Sequence, residues 1–128
     1  MATKERKKAE QRALARKSGP AVASLKGLKM SSRKVRVIAD LVRGSSVGDA
    51  LIQLAFQRRA AAAPLAKLLK SAVSNANEQG LNVDSLVVDE ILVHGGETGR
   101  RFMPRAQGRA TRIRKRTAHV DVRLVQGV

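Results

Sequence analysis

The sequence has 128 residues and contains no cysteine, tryptophan or tyrosine; its only aromatic residues are Phe56 and Phe102. The absence of cysteine excludes a disulfide framework, a thiolate metal site and a cysteine nucleophile, and it suits a reducing cytosol. The scarcity of aromatic side chains excludes extensive stacking on unpaired bases, which most single-strand binders use. If this chain binds nucleic acid, we therefore expect contacts to the backbone.

A membrane segment is also missing. No apolar run approaches the length that spans a bilayer, and the first residues lack the apolar core of a secretory signal. The length suits one domain. We therefore expect a cytoplasmic protein that makes no contact with a membrane.

Acidic residues are missing where basic residues are densest. The net charge is +16 and the isoelectric point is about 11.7. Residues 100–116 hold eight bases and no acid, and residues 4–17 hold seven bases and two acids. Residues 30–95 are nearly neutral, with eight bases and six acids. This distribution predicts a compact body with two cationic appendages, which is typical of proteins that bind nucleic-acid phosphate.

Three helices are predicted in the body. Ser31 or Ser32 can cap the first, and Gly44 can end it in the left-handed conformation. Residues 46–49 fit a capping box for a second helix, and a third starts near 60–64 and ends at Gly80. The predicted apolar faces are Val35, Ile38, Leu41 and Val42; then Val47, Ala50, Leu51 and Leu54; then Leu65, Leu68, Leu69, Ala72, Val73 and Ala76.

Strands are predicted over 21–28, 86–94 and 118–125. Two sites, 95–99 and Gln107-Gly108, compete for the turn between the last two strands. A two-residue turn at Gln107-Gly108 opposes Val93 with Val122 and Ile91 with Leu124, so that apolar residues share a face. A turn at 95–99 leaves the alternation of 120–124 without apolar partners, so we favour the later turn.

The predicted fold class is therefore α+β: about three helices packed on a three-stranded antiparallel sheet, with a long protruding β-hairpin. Residues 1–19 form a basic extension that is flexible in the free protein, and 20–128 form one domain. The hairpin arm occupies about 90–125, with its tip near 105–110. Neither face of the distal arm has an apolar stripe, and such a ribbon is marginal in water. We expect it to become ordered inside a folded RNA that surrounds it.

The residues predicted to contact RNA lie in two places. One is the start of the first helix, where hydroxyl groups and bases meet at a helix N-terminus. The other is the arm, including a histidine at its base. The residues are Ser31, Ser32, Arg33, Lys34, Arg36, Arg100, Arg101, Arg105, Arg109, Arg112, Arg114, Lys115, Arg116 and His119.

No catalytic, cofactor or metal site is predicted. His94 and His119, the only histidines, are not at metal-ligand spacing, and we expect His119 to make a hydrogen bond at the base of the arm. The glycine-rich stretch 95–99 lacks the Gly-Lys-Ser/Thr that a phosphate loop requires. Strand alternation places Asp89 and Glu90 on opposite faces, so these two acids do not form a carboxylate cluster with Asp121. We expect all three to be solvated partners of nearby arginines.

Three separated segments resemble the family of large-subunit ribosomal protein twenty-two, of the bacterial type. They are MPRAQGRA at 103–110 with IRKRTAHV at 113–120, SSRKVR at 31–36 with LVRG at 41–44, and SAVSNA at 71–76. The resemblance covers about residues 29–125.

The resemblance implies a structural constituent of the large ribosomal subunit that binds its ribosomal RNA and aids folding and assembly. It implies neighbouring ribosomal proteins as partners and a monomer within the ribosome. It also implies that the hairpin tip lines the nascent-peptide exit tunnel. On this sequence the tip would be Arg105, Ala106, Gln107, Gly108, Arg109 and Ala110.

Two other functions are compatible with a basic ribbon. An architectural DNA-binding protein can use such an arm, but these proteins usually clamp duplex DNA as dimers, and the apolar stripes here are used by one small core. An RNA-modifying enzyme would need a catalytic constellation, and the sequence offers none.

The missing apolar stripe yields a prediction for the free protein. Amides at 98–114 are expected to exchange rapidly with solvent, while amides at 65–76, inside the most apolar helix, are protected. Hydrogen exchange followed by NMR measures both. Slow exchange across 98–114 in the isolated chain would contradict the prediction.

Overall fold

The computed structural model describes residues 4–17 and 19–127, so predictions for residues 1–3, 18 and 128 lie outside the described residues. Four helices and three strands are described, and they form one domain-sized unit. They are α1 (Lys4–Lys17), β1 (Ala21–Leu28), α2 (Ser32–Val42), α3 (Val47–Phe56), α4 (Ala62–Glu78), β2 (Leu86–Pro104) and β3 (Ala110–Gln126), with a 3-10 turn at Val83–Ser85 before β2. None of the described helices combines the length and hydrophobicity needed to cross a membrane.

The three strands form one open antiparallel sheet in the order β1-β3-β2. The last strand of the sequence therefore lies in the centre. Helices α2, α3 and α4 pack on one face of this sheet. The predicted α+β fold with three helices on a three-stranded sheet is confirmed, as is the strand predicted over 21–28.

The ends of α2 and α3 follow from short polar residues and glycine. Ser46 caps α3: its Oγ accepts the Asp49 N–H at 3.2 Å, which is the first bond of the predicted capping box, and Asp49 Oδ2 accepts at 2.8 Å from the Ser46 hydroxyl group rather than from its backbone N–H. Gly44 follows α2 with a φ of +77°, a conformation that side chains with a Cβ rarely adopt. Ser31 is the N-cap of α2, but its side chain makes no capping hydrogen bond.

One predicted core position of α2 is wrong. Leu41 is 48% exposed, and Ala39 is fully buried in its place. The helical spacing i, i+3, i+4, i+7 from Val35 selects Ile38, Ala39 and Val42, whereas Leu41 lies about 120° around the helix from Val35. The other positions predicted for α2 are buried, as are those of α3 and α4 except Leu51 and Val73, which are partly buried against the core.

Every buried side chain in the described part of the chain is apolar. The centre of the core is aliphatic, and burial of such side chains is the main stabilising term, at roughly 25 cal/mol per Å² of apolar surface. The largest fully buried residues are Ile38, Leu65, Leu69, Leu86, Ile91 and Leu124.

Both edges of the sheet are covered by polar groups from the helical layer. Along β2, Arg36 Nη2 donates to the Val93 carbonyl at 3.0 Å, and Arg43 Nη2 donates to the Ile91 carbonyl at 2.9 Å. On β1, Asn75 Nδ2 donates to the Val22 carbonyl at 2.9 Å. These contacts satisfy carbonyl groups that would otherwise invite pairing with another chain.

The predicted register of β2 with β3 is wrong, although apolar residues still oppose apolar residues. Val93 pairs with Val120 and Ile91 with Val122, two residues from the predicted partners. Bulges lie between Val88 and Glu90 and between Gly95 and Thr98; at Val93 and Ile91 the second bulge and a tip loop one residue longer than predicted each shift the ladder by one residue. Because a shift of two residues keeps every side chain on its face, the hydrophobic pattern could not distinguish the two registers.

The bulge between Val88 and Glu90 also disrupts the strand alternation that was expected for two acids. Asp89 and Glu90 were expected on opposite faces, but both are exposed where the bulge interrupts the alternation. Asp89 Oδ2 lies 3.4 Å from Arg123 Nε, as expected for a solvated partner of an arginine.

The basic N-terminal segment forms α1, and the side chains of 4–12 are exposed. Arg6 and Glu10 form a helical i,i+4 pair at 3.7 Å, which contributes little at such exposure. The flexibility of this segment in the free protein stays a prediction.

Candidate nucleic-acid interface

The inward-facing side of β3 changes from aliphatic to arginine along its length. Val122, Val120 and Ala118 are buried, and the next residues on the same side of the strand, moving outward, are Arg116, Arg114 and Arg112. Alternation of side chains in a strand places these six residues on one face. The change occurs where the helical layer ends, so the arm begins at the last position that the helices cover.

Cross-strand pairing gathers most of the arm's arginines on one face. Arg114 opposes Arg100, Arg112 opposes Phe102, and Arg116 opposes Thr98. We call this surface, formed by Arg100, Phe102, Arg112, Arg114 and Arg116, the arginine face. Directly opposed like charges such as Arg100 and Arg114 are destabilising in an isolated hairpin, and Phe102 is 69% exposed among them.

The opposite face of the arm is mixed. Arg101 opposes Ile113, and Met103 opposes Thr111. Ile113 is the only half-buried residue between 97 and 116, and Met103 is its diagonal neighbour. One apolar contact of this size is too small to stabilise a two-stranded ribbon, in line with the predicted lack of an apolar stripe.

The tip turns at the predicted place with a longer loop. The Arg105 N–H donates to the Arg109 carbonyl at 2.7 Å, which encloses Ala106, Gln107 and Gly108 in a three-residue loop. The predicted two-residue turn, with Ala106 opposite Arg109, is therefore wrong by one residue. Gln107 and Gly108 both have positive φ, at 61° and 66°. All six predicted tip residues are exposed.

The arm leaves the body at the second bulge, where two side chains crowd around a glycine. A Cβ on Gly96 would collide with Thr117 Oγ1 and would lie 3.0 Å from His119 Nε2. Thr117 Oγ1 donates to the Glu97 carbonyl at 2.7 Å. His119 Nδ1 accepts the Gly27 N–H at 2.9 Å. A hydrogen bond of His119 at the base of the arm was predicted with either backbone or RNA as its partner, and the structure gives it a backbone partner, while contact with RNA stays a prediction. These contacts link β1, β2 and β3 at the point where the arm begins.

The second predicted cluster lies at the start of α2. Arg33 and Lys34 are exposed, and Ser31 and Ser32 are half-buried. Arg36 differs from its neighbours because one of its amino groups is bound to the β2 edge. The geometry therefore gives Arg36 a structural partner, and contact of these five residues with RNA stays a prediction.

A groove of about 1320 Å³ brings the start of α2 and the base of the arm together. Ser31 and Lys34 line one wall, and Arg101, Arg114, Lys115 and Arg116 line the other. The loop between α3 and α4 contributes Arg59, Ala60 and Ala61. Arg33 and Arg36 do not line the groove, and neither do the more distal predicted residues Arg100, Arg105, Arg109 and Arg112.

Sequence reasoning missed two basic residues of this groove, Lys29 and Arg59. Arg59 follows Arg58 in a short loop between two helices, which is a common place for solvated charge. Only the packing of α3 and α4 shows that this loop faces the base of the arm.

The remaining ionisable groups form no further site. His94 Nε2 lies 4.0 Å from Asp121 Oδ2 on the exposed side of the sheet. Within residues 4–17 and 19–127, no three His, Asp or Glu side chains converge in a way that could hold a metal ion.

Comparison with known proteins gives one family. The family model for ribosomal protein L22p/L17e matches residues 23–125. The protein named large ribosomal subunit protein uL22 from Anaeromyxobacter sp. (strain K) is 50% identical over 134 aligned positions, covering 95% of this chain and 92% of that protein. The proteins of the same name from Myxococcus xanthus and Oceanobacillus iheyensis are 52% and 47% identical, over 81% and 80% of this chain and 94% and 91% of their own.

The bulge at the base of the arm can be tested with neighbouring glycines. We expect Gly96→Val to destabilise the protein by about 1–3 kcal/mol, because the added methyl groups collide with Thr117 and His119. Gly95→Val is the matched control, since a Cβ at Gly95 meets no atom within 4 Å. Urea unfolding measures both variants, and equal stability of the two would show that the contacts around Gly96 do not constrain the bulge.

Proposed function

Because this chain belongs to the ribosomal protein L22p/L17e family, we propose that it is a structural constituent of the large ribosomal subunit that binds ribosomal RNA. As a member of this family it is a ribosomal protein of the bacterial cytoplasm and is not an enzyme. The resemblance on which the sequence prediction depended is thereby confirmed. No observation favours the alternative of an architectural DNA-binding protein.

The observation that carries RNA binding is the uncompensated charge of the arm. Arg100, Arg112, Arg114 and Arg116 share one face, and no acid lies within ion-pair distance of any of them in the described residues. Phosphate groups on several sides of the arm would remove the repulsion between these arginines. With two aromatic residues in the whole chain, recognition rests on backbone and shape rather than on stacked bases.

The proposed role is therefore assembly and scaffolding. The body docks on folded ribosomal RNA as a monomer, beside neighbouring ribosomal proteins, and the arm neutralises phosphate where RNA segments converge. This neutralisation favours the compact RNA and so aids its folding.

The tip has a separate proposed role. Residues 105–110 are exposed and lie at the far end of the arm, beyond the arginine face. We propose that this tip lines the nascent-peptide exit tunnel and contacts the growing chain.

The arm's contribution to RNA affinity can be measured with the double variant Arg112→Gln, Arg114→Gln. Each lost phosphate contact should reduce the slope of log affinity against log salt by about 0.7–0.9, so the double variant should bind on the order of 30-fold more weakly near 0.1 M salt. Filter binding of the full chain to a transcript of bacterial large-subunit ribosomal RNA measures both quantities.

The matched control for this experiment is Lys67→Gln, Lys70→Gln, which removes the same charge from the exposed side of α4. We expect the control to bind within about threefold of the wild type. A wild-type affinity that stays constant over a tenfold range of salt would refute the phosphate-binding arm.

Tunnel lining can be tested by site-specific crosslinking. Because the chain has no natural cysteine, a single introduced cysteine is the only thiol that a crosslinker can modify. A photoreactive crosslinker attached to Gln107→Cys in reconstituted ribosomes is expected to label a stalled nascent chain. The same group on Ser71→Cys, on the exposed side of α4, should not label it. Absence of a nascent-chain adduct from the tip position, with the ribosomes translating normally, would argue against tunnel lining.

A further inference from the structure

The groove beside the base of the arm is not explained by the arm's own charge. Two of its lining residues, Lys29 and Arg59, belong to the body. They lie outside the predicted RNA-contacting cluster at the start of α2 and outside the arm. The opposite wall includes Glu97 and Thr117, which form the bulge where the arm leaves the body. Any occupant of this groove would therefore touch the body and the base of the arm at once.

Positive charge in the groove is almost unopposed. Seven bases from α2, β2, β3 and two loops line it, and Glu97 is its only acid. Within the described residues the side chains of these seven bases form no ion pair and no hydrogen bond. The side chains of Arg36 and Arg43, in contrast, donate to backbone carbonyls on the β2 edge. Convergence of unpaired cations from distant parts of the sequence favours an anionic occupant.

The shape and chemistry of the groove exclude most small ligands. Its volume of about 1320 Å³ exceeds the roughly 300–1,000 Å³ of typical small-molecule pockets. No aromatic side chain lines it, so a free nucleotide would have no stacking surface. The bases of the arm wall continue along β3 into the arginine face. An extended polyanion that follows both surfaces fits this arrangement.

We propose that the groove holds a segment of ribosomal RNA backbone that bridges the body and the arm, with Lys34 and Arg59 as phosphate-binding residues on the body side. This inference rests on the proposed function and adds a second contact surface to it. The bridge fixes the direction of the arm relative to the body, because the same RNA segment binds on both sides of the bulge.

The test compares adjacent arginines of one loop. Arg59→Gln removes a groove charge, and Arg58→Gln removes the same charge from an exposed neighbour that does not line the groove. Lys34→Gln supplies a second groove variant from a different element. All three side chains are exposed, and thermal unfolding of each full-length variant checks that the fold is intact.

Binding is measured to a transcript of bacterial large-subunit ribosomal RNA over a range of salt. We expect Arg59→Gln and Lys34→Gln each to weaken binding by about fivefold to tenfold near 0.1 M salt and to lower the salt slope by about 0.7–0.9. Arg58→Gln should change the affinity by less than about twofold. Equal behaviour of Arg58→Gln and Arg59→Gln would overturn the inference.

Two further measurements separate the possible failures. If the arm variant Arg112→Gln, Arg114→Gln loses affinity while both groove variants bind like the wild type, the groove inference is wrong and the proposed function stands. If no arm or groove variant changes the affinity, the proposed function itself fails. Poly-L-glutamate serves as the probe for an acidic protein segment. Loss of its binding in Arg59→Gln, with RNA binding unchanged, would assign the groove to such a segment and refute the RNA bridge.

Discussion

Repulsion between like charges on a ribbon without a hydrophobic face is the constraint on which the rest of this structure depends. Along β3, apolar burial stabilises the strand as far as Ala118, and the next three alternate positions, Arg116, Arg114 and Arg112, carry positive charge. The body buries only apolar side chains in its described part and needs no partner to account for its fold. The arm has one half-buried residue, Ile113, and under the proposed function counter-charge from outside the protein stabilises its conformation.

The body determines where that charge is presented. Arg36 and Arg43 hold α2 against the edge of β2, and Asn75 holds α4 against β1. The bulge at the base of the arm, with Gly96 packed against Thr117 and His119, then sets how β2 and β3 leave the sheet. Arg36 and Arg43 are thus bound to backbone carbonyls and build the frame, whereas the arginines of the arm form no ion pair with the described residues and under the proposed function are available to phosphate.

The same division explains why a structural role suits this family member. Its described residues bring together no group of acidic and histidine side chains that could hold a metal ion, and its cations are distributed over a groove and a long arm rather than focused on one small pocket. Under the proposed function, distributed contacts of this kind bind a large folded polyanion without reading its sequence, because most of them reach phosphate rather than base edges. The exposed tip residues at the end of the arm are available for the proposed contact with the exit tunnel.

The amino-acid sequence alone determined the three amphipathic helices, the capping box at Ser46, the left-handed Gly44, the position of the tip and the family, because each depends on local periodicity, on residues close in sequence or on recognisable motifs. Only the tertiary structure decided the β2–β3 register at Ile91 and Val93, since a longer tip loop and the bulge between Gly95 and Thr98 together move their partners by two residues and keep apolar residues opposite each other. Packing also decided that Arg36 is bound to the sheet edge. It likewise brought Lys29 and Arg59 to the groove at the base of the arm, because that neighbourhood joins residues far apart in the chain.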